Sequence, residues 1–253
     1  MQVYLIDLDD TLLASSEASR QAMERVIALA CEGFPESCAK RLRAAWISVR
    51  TQFWGNPERA TKGRFDSRWA RRTTLQQALT ECRLPLSNLD GLLDAYAHWR
   101  EASLGLAAGA ADLLDDLKAR GMLVLVTNGT TREQRAKLDR FGLARHFDGI
   151  VIEEEAGAAK PRLYPVACAR LGLNAYRRTA VVIGDDVARD GRGAEILNSP
   201  FLHIASAGRC AYCDRSPYAT HFWRLSDLAD ELKSHVQATA AVADVTRTTT
   251  GRG

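Results

Sequence analysis

Short apolar runs alternate with segments of helical period through the second half of the chain, and this alternation constrains the fold more than any other feature. The runs are Met122–Thr127, Gly149–Ile152, Thr179–Gly184 and Phe201–Ile204, and a similar run near the N-terminus covers residues 2–8. Continuous apolar runs of this length are typical of strands buried on both faces of a parallel sheet. Strands that alternate with helices form βαβ units. The sequence therefore predicts an α/β fold in which Phe201–Ile204 is the last strand.

Residues 14–105 separate the first strand from the others and carry only helical patterns. Apolar side chains recur at helical spacing in four stripes, and glycine- and proline-containing segments divide the stripes into separate helices. An insertion of about ninety residues is too long for a loop. We therefore predict an α/β core of residues 1–13 and 106–236, an all-helical cap domain of residues 14–105 and a disordered tail of residues 237–253.

The composition limits the classes of partner and the location of the protein. The net charge of +3 is spread without a long basic block, so we expect no nucleic acid polymer as a partner. No apolar run reaches the length of a membrane span, and the N-terminus lacks the pattern of a secretory leader. We therefore expect a cytoplasmic protein without a membrane partner, and the sequence does not indicate its oligomeric state.

Six cysteines are scattered along the chain, and in a cytoplasmic protein they are expected to be thiols. Only Cys210 and Cys213 have the spacing of a metal-binding or redox pair. A structural zinc site usually needs a second pair or histidines at set spacing. His203 and His221 are near in sequence but do not complete such a pattern. We therefore favour a thiol-bearing surface loop over a zinc or redox site.

Two aspartates follow the N-terminal apolar run with one residue between them. Asp7 lies at or just past the carboxyl end of the predicted strand, which is the edge where open α/β sheets bind ligands. Asp9 can point to the same side, so the two carboxylates can bind a hard cation or act as nucleophile and proton donor. A solvated turn after an edge strand would give the same local pattern.

Polar residues also follow three other predicted strands. Thr127–Thr130 offers a hydroxyl, backbone N–H groups and a helix start, which together suit a phosphate or another oxyanion. Lys160 precedes a proline after the third strand and can neutralise a phosphate or a carboxylate. The fourth strand leads into Asp185, Asp186 and Asp190, whose mutual repulsion a cation or a lysine would relieve. These residues predict a magnesium site with a phosphate-binding loop beside it.

These four segments, taken in chain order, resemble the four motifs of the haloacid dehalogenase superfamily. The resemblance covers residues 1–13 and about 106–205, and the helical insertion is similar to the helical cap of that family. It implies a Rossmann-like core sheet with an inserted cap domain. It also implies a hydrolase that works through an aspartyl-phosphate.

The resemblance implies a role for each matching residue. Asp7 would be the nucleophile that attacks phosphorus. Asp9 would be the general acid and base. Thr127, Asn128 and Gly129 would bind the phosphoryl oxygens, and Lys160 would balance the charge around Asp7 while also contacting the substrate.

The resemblance also implies Mg²⁺ as cofactor. Its ligands would be Asp7, Asp185 and the backbone carbonyl of Asp9. Asp190, or as the less favoured alternative Asp186, would be a second acid that either contacts the metal through water or orients Lys160.

Asp9 favours phosphoryl transfer, because dehalogenases of the superfamily lack this second aspartate. A phosphatase acting on a small phosphorylated metabolite is the preferred interpretation. The residues of the first two motifs are similar to those of nucleotidase-type members, which act on nucleoside monophosphates. Two alternatives stay open: a phosphomutase of the same superfamily, and a catalytically weak protein that docks a partner. The arginines and tryptophans of the cap are candidates for setting the substrate.

Overall fold

The computed structural model describes residues 2–204, 213, 219–222, 224–228, 230 and 231. The chain forms two compact units, one of residues 14–105 and one that combines residues 1–13 with the described part of 106–253. The predicted disordered tail of residues 237–253 lies outside the described residues, as does Cys210. Among the described residues, no helix combines the length and the apolarity that a membrane span requires.

The unit of residues 14–105 is fully described and contains only helices as regular elements. These are α1 (Ser15–Ala30), α2 (Ser37–Gly55), α3 (Pro57–Phe65), α4 (Ser67–Glu81) and α5 (Leu89–Ser103). The four predicted apolar stripes supply its core, in which Trp46 lies 5.8 Å from Tyr96 between ring centroids. Helix α3 has no stripe because Gly63 is its only buried residue.

The other unit is built on a sheet of six parallel strands. They are β1 (Gln2–Ile6), β2 (Gly121–Thr127), β3 (Gly149–Ile152), β4 (Val181–Gly184), β5 (Phe201–Ile204) and β6 (Ala219–Phe222), in the spatial order β3-β2-β1-β4-β5-β6. The helices that connect them are α6 (Ala110–Lys118), α7 (Thr131–Arg140), α8 (Glu153–Ala156), α9 (Leu163–Arg170) and α10 (Arg192–Leu197). This architecture confirms the predicted α/β fold with a Rossmann-like parallel sheet and a helical insertion.

The sheet is held by apolar side chains packed between strands and helices. Leu5, Val124 and Val182 are fully buried on three neighbouring strands, and Tyr164 of α9 covers them. Burial of each such aliphatic side chain contributes about 1.5–3 kcal/mol. The apolar runs of β1, β2 and β4 therefore form the middle of the sheet, as expected for strands covered on both faces.

The structure corrects two details of the predicted core. Phe201–Ile204 is not the last strand, because β6 pairs with it in parallel. The segment Ala219–Phe222 is short and lacks an apolar run, so no pattern in the sequence predicts a strand there. The segment after β4 also departs from a regular α-helix, because a π-helical turn at Val187–Gly191 precedes α10.

The order of the strands determines where a ligand can bind. Strand β1 lies between β2 and β4. The strands that follow β1 in the chain are therefore placed first on one side of it (β2 and β3) and then on the other (β4, β5 and β6). In open α/β sheets the crevice at such a switch point, beyond the carboxyl ends of the strands, is the usual ligand site. The segments that follow β1, β2 and β4 are therefore brought together at this edge.

Candidate active site

Asp7 is the buried centre of this edge. It follows β1 directly, and its amide donates to the carbonyl of Ile183 at 2.9 Å, which extends the pairing with β4 by one residue. Its side chain accepts hydrogen bonds from Lys160 and, at 3.1 Å, from the hydroxyl of Thr11. Both carboxylate oxygens are thus oriented by the protein.

Lys160 joins Asp7 to a second buried acid. Its Nζ donates to Asp7 and also to Asp190 at 2.8 Å, and all three side chains are buried. Its backbone amide donates to Oδ1 of Asn128 at 2.9 Å, which fixes the loop that carries it. Burial alone would lower the pKa of Lys160, but the carboxylates of Asp190 and Asp7 outweigh burial and raise it. The lysine is therefore charged at neutral pH.

Asp190 is the acid that the π-helical turn directs into the site. Its Oδ1 accepts from Lys160 and from the hydroxyl of Tyr164 at 2.7 Å, and its Oδ2 accepts from the amide of Asp186 at 3.1 Å. Asp186 instead caps the turn, because its Oδ1 accepts from the amides of Ala188 and Arg189 at 2.8 and 3.0 Å. The structure thus distinguishes the two acids: Asp190 contacts Lys160 and Asp186 faces the turn.

Three carboxylates form a group suited to a divalent cation. Each of Asp7, Asp185 and Asp190 offers one carboxylate oxygen, and these three oxygens lie within 4.8 Å of one another. Burial, reinforced by the neighbouring carboxylates, raises the pKa of Asp7 to about 7 and that of Asp185 to about 8. One lysine cannot neutralise three acids, so the group retains negative charge when it is ionised. Hard oxygen ligands in this number fit Mg²⁺, which keeps several waters.

The carboxylate of Asp9 lies apart from this group and contacts helix α7. Lys137 Nζ lies 2.7 Å from both carboxylate oxygens, and Gln134 Nε2 donates to one of them at 3.0 Å. Sequence reasoning missed Gln134 and Lys137. Their spacing of three residues places both on one face of a helix that starts just after the Thr127–Thr130 segment, but other polar residues of α7 have such spacing too.

The loop after β2 contains the predicted phosphate-binding residues. Gln134 Nε2 donates to the hydroxyl oxygen of Thr127 at 2.7 Å and to the carbonyl of Asn128 at 2.5 Å. Gly129 has a φ of 112°, a conformation that favours glycine, and its amide donates to Glu153 at 2.9 Å. The amide of Gly129 is thus engaged within the protein, whereas the side chain of Asn128 holds Lys160.

Two groups of predicted residues are therefore brought together at one edge of the sheet. The first contains Asp7, Lys160, Asp185 and Asp190, which share a buried network of carboxylates around one ammonium group. The second contains Asp9 and the loop after β2, which Gln134 links by hydrogen bonds. The predicted nucleophile, acid and phosphate-binding residues therefore follow neighbouring strands at the same edge of the sheet.

Comparison with known proteins gives this geometry a family context. A family model described as haloacid dehalogenase-like hydrolase matches residues 1–197. A phosphoserine phosphatase from Thermus thermophilus is 30% identical over 217 residues, which are 78% of this chain and 85% of that protein. An N-acylneuraminate-9-phosphatase from Mus musculus is 25% identical over 215 residues, 76% of this chain and 77% of that protein.

A solved structure extends the likeness to three dimensions. The HAD-hydrolase YfnB from Bacillus subtilis, described as bound to magnesium, matches with a TM-score of 0.69 and 21% identity over 91% of this chain and 98% of that chain. At this identity the likeness concerns the fold alone. Together with the family model and the phosphatase relatives, it confirms the resemblance drawn from the four motifs and the prediction of a phosphatase-type enzyme.

Proposed function

The chain belongs to the haloacid dehalogenase-like hydrolases, and we propose that within this family it hydrolyses a phosphomonoester with Mg²⁺ through a phosphorylated Asp7. The observation that carries this proposal is the buried contact of Asp7 with Lys160, beside the carboxylates of Asp185 and Asp190. A nucleophilic carboxylate needs an oriented oxygen and nearby positive charge to approach an anionic phosphate. The surroundings of Asp7 meet both needs.

In the first half of the proposed reaction, a carboxylate oxygen of Asp7 forms a bond to phosphorus while the bond to the leaving oxygen breaks. Asp9 donates its proton to the departing alkoxide. In the second half, Asp9 takes a proton from water, the water oxygen bonds to phosphorus, and the Asp7 carboxylate leaves. The contact of Asp9 with Lys137 holds its carboxylate in one orientation in the structure.

Mg²⁺, held by Asp7, Asp185 and the backbone carbonyl of Asp9, would neutralise charge between the anionic nucleophile and the anionic substrate. Asp190 would have a different role. Its two oxygens already accept from Lys160, Tyr164 and the amide of Asp186. It would therefore hold Lys160 against Asp7 and contact the metal through water.

The loop after β2 would bind the transferred phosphoryl group. An amide nitrogen has two hydrogens, and Gln134 Nε2 has three acceptors in reach: Asp9, Thr127 and the carbonyl of Asn128. Thr127 accepts from Gln134, and its own hydroxyl donates only a long hydrogen bond, of 3.4 Å, to the carbonyl of Asn128, which a phosphoryl oxygen would replace as acceptor. The amide of Asn128 and Lys160 would contact the other oxygens, and Gly129 would supply the backbone conformation of the loop.

The substrate we propose is a small phosphorylated metabolite handled in the cytoplasm. The names of two relatives that match over most of the chain, a phosphoserine phosphatase and an N-acylneuraminate-9-phosphatase, support a small anionic phosphomonoester. A nucleoside monophosphate remains the candidate drawn from the motifs. A phosphomutase would use the same Asp7 and Asp9 but would return the phosphoryl group to the substrate.

A panel of phosphorylated metabolites tests this proposal. Inorganic phosphate released from each compound is measured with Mg²⁺ and with EDTA, together with the mass and isomer of the organic product. Phosphate release that needs Mg²⁺ supports a phosphatase. Isomerisation of a sugar phosphate without phosphate release would support the mutase instead, and binding without any turnover would support the partner-docking alternative.

A further inference from the structure

A second cluster of metal-binding side chains lies on the far strands of the same sheet. His203 of β5 and His221 of β6 are register partners in neighbouring parallel strands. His203 Nδ1 lies 3.3 Å from His221 Nδ1 and 3.3 Å from the sulfur of Cys213. Ligand atoms of all three residues lie within 4.8 Å of one another. None of these residues takes part in the proposed phosphatase reaction.

Two of the three separations between the donor atoms are close to those of a tetrahedral zinc site. With Zn–N bonds of about 2.0–2.1 Å and a Zn–S bond of about 2.3 Å, tetrahedral angles place two nitrogens about 3.4 Å apart and nitrogen and sulfur about 3.6 Å apart. The observed values of 3.3 Å and 3.3 Å are close to both. The donor atoms thus already surround a point that one ion can occupy.

The hydrogen bonding of His203 directs its lone pair toward that point. Its Nε2 lies 2.9 Å from the backbone carbonyl of Asp185, which can only accept, so Nε2 carries the proton. The unprotonated nitrogen is therefore Nδ1, the atom that faces Cys213 and His221. A ring nitrogen that donates to a backbone carbonyl while the other faces the metal is the usual arrangement of a metal-bound histidine. The ring is buried and stacks on Phe201 at 5.5 Å between centroids.

We propose that His203, Cys213 and His221 bind a structural Zn²⁺ ion, separate from the carboxylate site. Two imidazoles and one thiol suit zinc, whereas Mg²⁺ takes hard oxygen ligands. Binding releases the thiol proton of Cys213 to solvent, so that the thiolate is the ligand. The fourth tetrahedral position is taken by water or by a further ligand.

The zinc ion would join β5, β6 and Cys213. It would also fix the ring of His203, whose other nitrogen holds the backbone of Asp185 beside the carboxylate group. The role is structural, because none of the three side chains reaches Asp7 or the loop after β2 in the contacts described. Zinc binding can therefore be tested independently of the proposed phosphatase activity.

The test uses the full chain and measures bound metal rather than activity. The protein is loaded with a stoichiometric amount of zinc in excess Mg²⁺, which occupies the carboxylate site, then dialysed and analysed by elemental mass spectrometry. We expect about one zinc per chain. Cys213→Ser and His221→Gln should lose it, whereas His98→Gln, at an exposed histidine of the helical unit, should keep it.

A spectroscopic measurement on the unaltered chain covers the case in which a variant does not fold. Cobalt(II) replacing zinc should give a thiolate-to-cobalt charge-transfer absorption, and added zinc should abolish it. Thermal unfolding with zinc should shift upward for the unaltered chain and for His98→Gln, but not for folded Cys213→Ser. Zinc below one tenth of an equivalent, a cobalt spectrum without a thiolate band, or equal retention by Cys213→Ser would overturn the proposal.

Discussion

Lys137 Nζ lies 2.7 Å from each carboxylate oxygen of Asp9, so one ammonium group holds both oxygens of the proposed general acid and base. The side chain of Lys137 is only 14% exposed, so the ion pair is shielded from solvent on the lysine side. It therefore fixes the orientation of Asp9 more firmly than an exposed ion pair would.

Replacing Lys137 with Met should lower kcat for phosphate release by about 10-fold, because a poorly oriented acid and base loses part of its usual 10²–10⁴-fold contribution. KM should change little, since Lys137 is not placed at the phosphoryl oxygens. Steady-state kinetics measure both. Lys118→Met, which breaks the more exposed pair of Lys118 with Asp148, is the matched control. An unchanged kcat in Lys137→Met would contradict this role for the pair.

The hydroxyl of Tyr164 donates to Asp190 inside the buried network at 2.7 Å. Tyr164→Phe removes one donor from a buried carboxylate, so we expect the free energy of unfolding to fall by about 1–3 kcal/mol. Urea unfolding measures this change. Tyr176→Phe, at a half-buried tyrosine packed against the same core, should change stability by less than about 0.5 kcal/mol. Equal effects of the two substitutions would refute the network.

In the absence of a cation, the raised pKa values of Asp7 and Asp185 make stability fall as pH rises. Because burial raises them to about 7 and about 8, the folded chain holds more protons than the unfolded chain between their ordinary pKa values and these values. With EDTA, the melting temperature should therefore decrease from pH 5.5 toward about pH 8 through these groups.

Mg²⁺ must displace those protons, so the rise in melting temperature on adding Mg²⁺ should be larger at about pH 8 than at about pH 6. Thermal scans at both pH values measure it, and Asp185→Asn should reduce the difference. A Mg²⁺ effect that is larger at the lower pH would show that these carboxylates are not the ligands.

Trp46 anchors the core of the helical unit. It is 1% exposed, contacts Tyr96 and donates from Nε1 to the hydroxyl of Thr74 at 3.3 Å. Trp46→Ala should cost about 3–5 kcal/mol of unfolding free energy, through lost burial and the cavity left behind. Trp54→Ala, at a side chain 43% exposed, should cost less than about 1 kcal/mol. Tryptophan fluorescence during urea unfolding compares the two, and a similar loss for both would contradict this packing.

The sequence predicts the parts of the site that follow from the period of the strands. Asp7 and Asp185 follow apolar runs typical of buried parallel strands, and the carboxyl ends of such strands meet at one edge. The partners of Asp9 were not predictable in this way. Gln134 and Lys137 are two among many polar residues on α7, and only the tertiary contact with Asp9 distinguishes them.

Two further features depended on geometry that local sequence does not encode. The choice between Asp186 and Asp190 follows from the π-helical turn, which turns Asp190 inward and leaves Asp186 as its cap. The meeting of His203 with His221 depends on the pairing of β5 with β6, a strand without an apolar run. Spacing along the chain could not show it, because register between neighbouring strands is set by the whole sheet.

Trapping the phosphorylated enzyme tests the central claim most directly. The protein is mixed with Mg²⁺ and a hydrolysed phosphomonoester, quenched in acid within its turnover time, and digested for mass spectrometry. We predict one phosphoryl group on Asp7 that is absent in Asp7→Asn, which should also lose activity. Asp10→Asn should retain both, because asparagine tolerates the left-handed backbone of that residue, φ 64°. Phosphate release that persists in Asp7→Asn, or a phosphoryl group on another residue, would contradict the account.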